Sequence, residues 1–320
     1  MPGMASESRT TVLVAAGANL TIAVAKFIAG AISGSPVILA EGAHSVADTF
    51  NQVVLLVSLS LGKRPPDEHH PFGYGKERFF WAFVASMGIL VLGAGFSFLQ
   101  GIGGLVSGSS ETSQGYVASY VVLGVAAVAE GVSWFRALRQ TQRAARRTGD
   151  ELVEHISEST DPTVKTVLFE DSAALIGVAI AFAGIGLAQV TGIEAFDPIA
   201  SILIGVLLAA IAFRLGQNAK ELLLGVAARE EVRESIRSAI EGHPQVDHVV
   251  ELLTMVLGPS SLLVAARVSL DDATGGDGAE AVAEDIDARV RQAVPSVAQF
   301  FLDPTPTSSG ERRTGGVAGA

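Results

Sequence analysis

The sequence contains no cysteine in its 320 residues. Disulfide bonds and metal sites built from thiolate ligands are therefore excluded. Charged residues are also scarce, at 17% of the chain, and the formal net charge is −11. A nucleic-acid-binding protein needs a basic face. Because no such face is visible here, nucleic acid is not an expected partner.

Apolar residues dominate the rest of the chain. Hydrophobic residues make up 49% of it and the mean hydropathy is +0.43, which is typical of the membrane class. Each of six apolar runs is long enough for the about 20 residues that cross a bilayer as a helix. The predicted spans are 10–33, 35–62, 79–106, 115–137, 164–190 and 196–222.

The loops between these runs indicate the orientation. Lysine and arginine concentrate in the connections 63–78 and 138–163, and Arg214 and Lys220 mark the end of the sixth span. The alternate connections are nearly free of charge. Since basic loops stay on the cytoplasmic side, we expect a multi-pass protein of the bilayer with both termini in the cytoplasm.

The last quarter of the chain differs in character. From about Arg229 it becomes amphipathic, in the order helix, strand, strand, helix, strand. This order favours a small ferredoxin-like α+β domain with an antiparallel sheet. The predicted organisation is a cytoplasmic N-terminus (1–9), a six-transmembrane-helix bundle (10–222), a cytoplasmic α+β dimerisation and regulatory domain (223–304) and a disordered tail (305–320).

Four polar residues interrupt the second span, within EGAHSVADTFN. Residues four apart share a helix face, so His44 and Asp48 project together, with Glu41 one turn before and Asn51 one turn after. His44 lies roughly 15 Å into the span at 1.5 Å per residue. A carboxylate near the bilayer centre costs several kcal/mol, which indicates function. The alternative is a structural hydrogen bond between helices.

The fifth span adds Glu170 and Asp171. Adjacent residues differ by about 100° around a helix, so only one of the two faces the second span. The other faces a partner, water or the cytoplasmic boundary. Counted from the outer ends, Glu170 lies deeper toward the cytoplasm than His44, and helix tilt or an early end of the span near Gly184 would bring them level.

This set of side chains suits a divalent metal ion. Nitrogen and oxygen ligands without sulfur favour zinc, iron, cobalt or manganese, and the imidazole favours zinc. The ligands lose protons when metal binds. A site that opens alternately to the two sides would therefore exchange metal for protons. Lys26 in the first span either serves packing or pairs with a carboxylate such as Glu41.

Six spans, HSVAD in the second, HHPFGYGKER after it and an α+β tail together resemble the cation diffusion facilitator family of metal transporters. The resemblance implies a homodimer that exports divalent metal from the cytoplasm against protons. It also implies a transport site of two residues on the second helix, here His44 and Asp48, and two on the fifth. The tail resembles the family's metallochaperone-like domain.

The fifth helix departs from the family's usual His-x-x-x-Asp. With Glu170 at the histidine position, Ala174 stands where the aspartate belongs, and with Asp171 at the aspartate position, Val167 stands where the histidine belongs. The stretch LFEDSAALIG resembles the zinc transporter nine-like subgroup. The expected ligands are His44, Asp48 and one of the two acids, completed by Asn51, Glu41 or water.

The loop after the second span departs as well. Family members with a second metal there use an aspartate and two histidines. Asp67 and His70 match, but Tyr74 replaces the other histidine. A phenol is a poor zinc ligand because its pKa is about 10. We therefore expect a weak or absent loop site, with His69 as a substitute ligand.

These features predict a secondary transporter of the cell membrane that exchanges zinc for protons. Manganese, iron or cobalt is the alternative cargo, and a non-transporting membrane metal sensor or scaffold is the alternative class. No cofactor is required beyond the transported metal. The sequence has no motif for a water-activating metalloenzyme and no Walker-type loop for a pump, so an enzyme is not expected.

Overall fold

A computed structural model describes residues 4–108, 113–148, 162–270 and 276–306. The described residues form two compact units, one that ends at Leu224 and one that begins at Gly225. The first unit is helical, and the second combines helices with a sheet. The predicted fold class, a six-helix membrane bundle followed by an α+β domain, is confirmed.

In the part of the helical unit that the structure describes there are six long helical stretches, as predicted. The third consists of two α-helices, α3 and α4, joined without a loop by a π-helical segment, Ile89–Gly95. The elements are α1 (Met4–Ser33), α2 (Pro36–Leu61), α3 (Glu77–Gly88), α4 (Phe96–Ser107), α5 (Ser113–Thr148), α6 (Pro162–Thr191) and α7 (Phe196–Leu224).

Four stretches of the described chain are long and apolar enough to cross a membrane: Glu77–Ser107, Gly115–Arg143, Leu168–Thr191 and Phe196–Leu224. In α1 the apolar segment is Asn19–Ser33, which is shorter than these four stretches. The helix α2 is continuous from Pro36 to Leu61, but its polar residues make it less apolar than these four stretches. Large apolar side chains on the outside of the unit, such as Val106, Val190 and Phe213, suit contact with lipid rather than water.

Helix α2 is the centre of the bundle. It contacts α1, α3, the π-helical segment, α4, α6 and α7. The unit has an apolar core that includes Val37, Ile38, Ile185 and Ile204. Because α2 is enclosed in this way, its polar side chains are removed from lipid and face other helices.

The N-terminus of α2 is fixed from two directions. The Ser35 side chain accepts a hydrogen bond from the backbone N–H of Ile38 at 3.4 Å, as a helix N-cap does. Asp197 at the start of α7 accepts another from the N–H of Val37 at 2.8 Å. A carboxylate at a helix N-terminus is favourable, so α7 anchors the N-terminal end of α2.

The fourth helix extends beyond the span predicted for it. The fourth span was expected over 115–137, but α5 continues to Thr148. The extra residues, LRQTQRAARRT, are rich in arginine, alanine and glutamine, which favour helix. Hydropathy predicts where a helix leaves the apolar layer and not where it ends.

The second unit is a three-stranded sheet with two helices. Its elements are α8 (Glu230–Glu241), β1 (Val246–Gly258), β2 (Ser261–Leu270), α9 (Gly276–Ala293) and β3 (Val297–Pro306). The strand order is β1-β2-β3. Buried Ile236 of α8 and Ile286 of α9 are part of the core, as are Val264 and Val268 of β2.

The expectation of an antiparallel sheet is wrong for one pair. The strands β1 and β2 are antiparallel, but β2 and β3 are parallel, with Ala265 opposite Phe301. The helix α9 lies between β2 and β3 in sequence. It returns the chain to the edge of the sheet at which β2 begins, so β3 runs in the same direction as β2.

The predicted disordered tail, 305–320, lies outside the described residues except for Thr305 and Pro306, which belong to β3.

Candidate functional site

Helix α2 presents His44 and Asp48 to the interior of the bundle. His44 is 1% exposed and Asp48 is 9% exposed. The distance between His44 Nε2 and Asp48 Oδ2 is 3.7 Å. Their spacing of four residues places both on one face of the helix, so an ion near one lies within reach of the other.

Asn51 joins this face of α2 to α6. Its side-chain Nδ2 donates a hydrogen bond to Glu170 Oε2 at 2.5 Å. Asn51 and Glu170 are 4% and 8% exposed. The contact holds the Glu170 carboxylate against α2, one turn toward the C-terminus of that helix from Asp48.

Asp171 points in a different direction from Glu170. Its Oδ2 accepts a hydrogen bond from Ser133 Oγ of α5 at 2.9 Å. The next residue, Ser172, accepts one from Trp134 Nε1 of the same helix at 3.0 Å. The structure therefore places the two adjacent acids toward different helices, Glu170 toward α2 and Asp171 toward α5.

Two contacts show how α2 and α6 lie beside each other. One is the pair Asn51–Glu170, and the other is a close approach of Glu41 to Gly177. A Cβ added at Gly177 would lie 2.5 Å from Glu41 Oε1. Glu170 is thus level with Asn51 rather than His44, and the part of α6 between the contacts includes buried Ala173 and Ala174.

Several buried polar atoms in this region have no hydrogen-bond partner within the described chain. They are both ring nitrogens of His44, Oδ1 of Asp48 and Oε1 of Glu170. Buried polar atoms are rarely left in this state. Among the described residues, no three histidine, aspartate or glutamate side chains converge closely enough to hold a metal ion. The predicted ligands instead form two adjoining pairs, His44 with Asp48 and Asn51 with Glu170.

Lys26 pairs with a carboxylate, which is one of the two interpretations that the sequence left open for this residue. It is fully buried on α1, and its Nζ lies 2.8 Å from Glu41 Oε2 and 3.1 Å from Glu130 Oε1 of α5. Sequence reasoning missed Glu130. The sequence offered one indication of its importance, an isolated carboxylate in an apolar span. Its partner Lys26 is 104 residues away in sequence.

The π-helical segment lies beside the predicted site. A Cβ added at its Gly93 would lie 3.6 Å from the Cβ of Ala47, the residue before Asp48, and 3.1 Å from Leu208 Cδ1 of α7. The segment therefore packs between α2 and α7. Such π-helical turns occur frequently at functional sites.

The loop after α2 brings Asp67, His70 and Tyr74 together at the surface. Tyr74 Oη donates a hydrogen bond to Asp67 Oδ2 at 2.6 Å, and the N–H of His70 donates one to Oδ1 at 2.7 Å. The Tyr74 hydrogen bond is the main reason that the pKa of Asp67 lies below its ordinary value, and the same contact raises the pKa of Tyr74. Tyr74 keeps its proton, so it competes with a metal for Asp67. The weak loop site stays a prediction.

Lys76 of the Gly-x-Gly-Lys-Glu stretch has a structural contact. Its Nζ donates a hydrogen bond to the carbonyl of Leu223, in the last turn of α7, at 3.3 Å. A cation is favourable at a helix C-terminus. The loop thus contacts the C-terminal end of α7, directly after the last residue of the predicted sixth span.

Comparison of the sequence with known proteins assigns the chain to a family. The model of the Cation efflux transmembrane domain matches residues 12–224. Metal tolerance protein C4 of Arabidopsis thaliana is 34% identical over 264 residues, which cover 82% of this chain and 57% of that protein. Proton-coupled zinc antiporter SLC30A9, mitochondrial, of Mus musculus is 30% identical over 246 residues, which cover 77% and 43%.

A bacterial relative matches over nearly its whole length. Manganese efflux system protein MneP of Bacillus subtilis (strain 168) is 26% identical over 308 residues, which cover 95% of this chain and 99% of that protein. By contrast, the chain spans about half the length of the plant and mouse relatives.

These matches confirm the resemblance drawn from HSVAD and from LFEDSAALIG. The family model covers α2 and α6, which carry the predicted ligands, and it describes a transport domain rather than an enzyme. The chain belongs to the cation efflux family, the cation diffusion facilitators.

Proposed function

We propose that the chain is a secondary active transporter that exports zinc from the cytoplasm in exchange for protons. The observation that carries this proposal is the buried set on α2 and α6. His44 and Asp48 share one face of α2, and Asn51 holds Glu170 against the same helix. The unpartnered nitrogen and oxygen atoms of these residues are of the types that bind a divalent ion.

In this mechanism His44, Asp48 and Glu170 are the metal ligands and Asn51 is a positioning residue. Asn51 orients one oxygen of Glu170 and leaves the other for the ion. The three ligands lose their protons when metal binds and regain them when it leaves. Rocking of neighbouring helices about the central α2 would open the metal site alternately to the two sides of the membrane. Glu41 and Asp171 are supporting residues, and Asp171 is the alternative ligand from α6.

Manganese is the second candidate cargo. The relative that matches this chain over 99% of its own length is a manganese efflux protein. An oxygen-rich set with a single imidazole also suits manganese. Iron and cobalt fit the same ligands, and a sensor that binds metal without moving it is the alternative class.

The proposal extends to the whole protein. The positions of basic residues support cytoplasmic termini and loops, and we propose a homodimer in the cell membrane. The domain boundaries at 10–222 and 223–304, with the N-terminus 1–9 and the tail 305–320, stay predictions.

Transport into liposomes tests the proposal. Purified protein is reconstituted, and zinc uptake is followed with and without an imposed proton gradient. Uptake driven by the gradient is expected for a zinc–proton exchanger. Uptake of manganese in place of zinc would favour the second candidate. Binding without movement of zinc, manganese, iron or cobalt would support the sensor and contradict transport.

A further inference from the structure

A buried lysine separates two acids next to the predicted metal site. Lys26 is 0% exposed and lies between Glu41 of α2 and Glu130 of α5. The Glu41 side chain is fully buried and that of Glu130 is 11% exposed. The ammonium group therefore joins α1, α2 and α5 inside the bundle.

One ammonium does not satisfy both carboxylates. Lys26 contacts Oε2 of Glu41 and Oε1 of Glu130. The second oxygen of each, Oε1 of Glu41 and Oε2 of Glu130, is buried and has no hydrogen-bond partner in the described chain. By formal charge the group carries one positive and two negative charges. Buried carboxylates need compensation by a cation or by hydrogen bonds.

The group adjoins His44. Glu41 precedes His44 by three residues, which places them on neighbouring positions of one helix face. His44 is 1% exposed, and neither of its ring nitrogens has a partner in the described chain. On the opposite side, Gly177 of α6 closes against Glu41 Oε1. Two carboxylates therefore flank the position that the lysine ammonium now occupies, and His44 lies one turn further along α2.

We propose that Lys26 is a tethered cation that fills a second metal position beside the transport site. The inference rests on the proposed function of His44, Asp48 and Glu170. Without the lysine, the Glu41 and Glu130 carboxylates supply oxygen ligands of the kind that zinc and manganese accept. Lys26 thereby limits this part of the bundle to a single divalent ion. It also prevents a passing ion from being retained by Glu41 and Glu130.

The test is the number of zinc ions bound per chain. Full-length protein in detergent is equilibrated with zinc, and bound metal is measured by mass spectrometry for the wild type and Lys26→Met. Lys26→Met is expected to bind one more zinc per chain than the wild type. Lys26→Gln, whose amide still donates a hydrogen bond to a carboxylate, is measured in the same way in case Lys26→Met does not fold.

Two further variants identify the cause. Lys26→Arg keeps the positive charge and is expected to match the wild type. The triple variant Lys26→Met, Glu41→Gln, Glu130→Gln removes the carboxylates and is expected to lose the extra ion. An unchanged count in both neutral variants would overturn the inference, as would an extra ion in Lys26→Arg or in the triple variant.

The same measurement separates this inference from the proposed function. A wild-type chain that binds no zinc would contradict the transport site. The difference between Lys26→Met and the wild type would still decide the role of Lys26.

Discussion

The Asn51 amide donates a hydrogen bond to Glu170 and joins the central helix α2 to α6. Both side chains are buried, and the other oxygen of Glu170 has no partner in the described chain. A neutral amide fixes the orientation of this acid without supplying a compensating positive charge. This relationship explains why an asparagine follows the His-x-x-x-Asp motif by one turn.

Replacement of Asn51 by alanine is expected to weaken zinc binding roughly 10–100-fold, the usual effect of losing a group that orients a ligand. Glu170 would then lose its donor and its fixed orientation. Isothermal titration with zinc measures the effect. Ser58→Ala is the matched control, because Ser58 is buried on α2 and its hydroxyl donates a hydrogen bond to the carbonyl of Leu55 in the same helix. Equal affinities for Asn51→Ala and the control would contradict the role of Asn51 in orienting a metal ligand.

The two acids of α6 are expected to differ. Glu170→Ala should abolish zinc flux, because Glu170 faces α2. Asp171→Ala should leave measurable flux, because Asp171 bonds to Ser133 of α5. Initial rates in liposomes compare the two at equal protein content. A larger loss in Asp171→Ala would mean that Asp171 is the ligand from α6.

Gly177→Ala is expected to destabilise the bundle by about 1–3 kcal/mol, as overpacking does. The added Cβ would lie 2.5 Å from Glu41 Oε1, and the ion pair with Lys26 restrains this buried carboxylate from moving away. Thermal unfolding in detergent measures the change. Gly124→Ala on α5 is the control, since a Cβ there meets nothing within 4 Å. If Gly177→Ala unfolds at the temperature of the control, the close approach of α2 and α6 is wrong.

Tyr74→His is expected to create a second zinc site in the loop after α2. The substitution removes the phenol that bonds to Asp67 and adds an imidazole beside His70. Metal analysis should find one more zinc per chain than in the wild type. Tyr74→Phe, which also frees Asp67 but adds no ligand, should bind no additional zinc. An extra ion in Tyr74→Phe would mean that the native loop lacks only a free Asp67.

The sequence predicted the elements of the fold better than their relations. Apolar length alone located the helices, and helical spacing put His44 and Asp48 on one face. The orientation of β3 depends on a crossover helix whose path the strand pattern does not encode. Similarly, Glu170 could not be matched to Asn51, because hydropathy does not fix how far one helix slides along another.

Glu130 illustrates a second limit. It stands alone in an apolar span, and its importance becomes visible only when folding brings it to Lys26, 3.1 Å away. The π-helical segment Ile89–Gly95 is similar, because ILVLGAG has no feature that separates it from an ordinary helix. Both depend on contacts between helices that are distant in sequence.

The most direct test of the central claim is zinc flux through Asp48→Ala in liposomes, compared with the wild type and the Ser58→Ala control. The substitution removes a carboxylate and little packing volume, so the protein should fold with an unchanged elution volume and unfolding temperature. The account predicts that flux falls to the level of empty liposomes while the control keeps the wild-type rate. Normal zinc flux through a folded Asp48→Ala variant would contradict it.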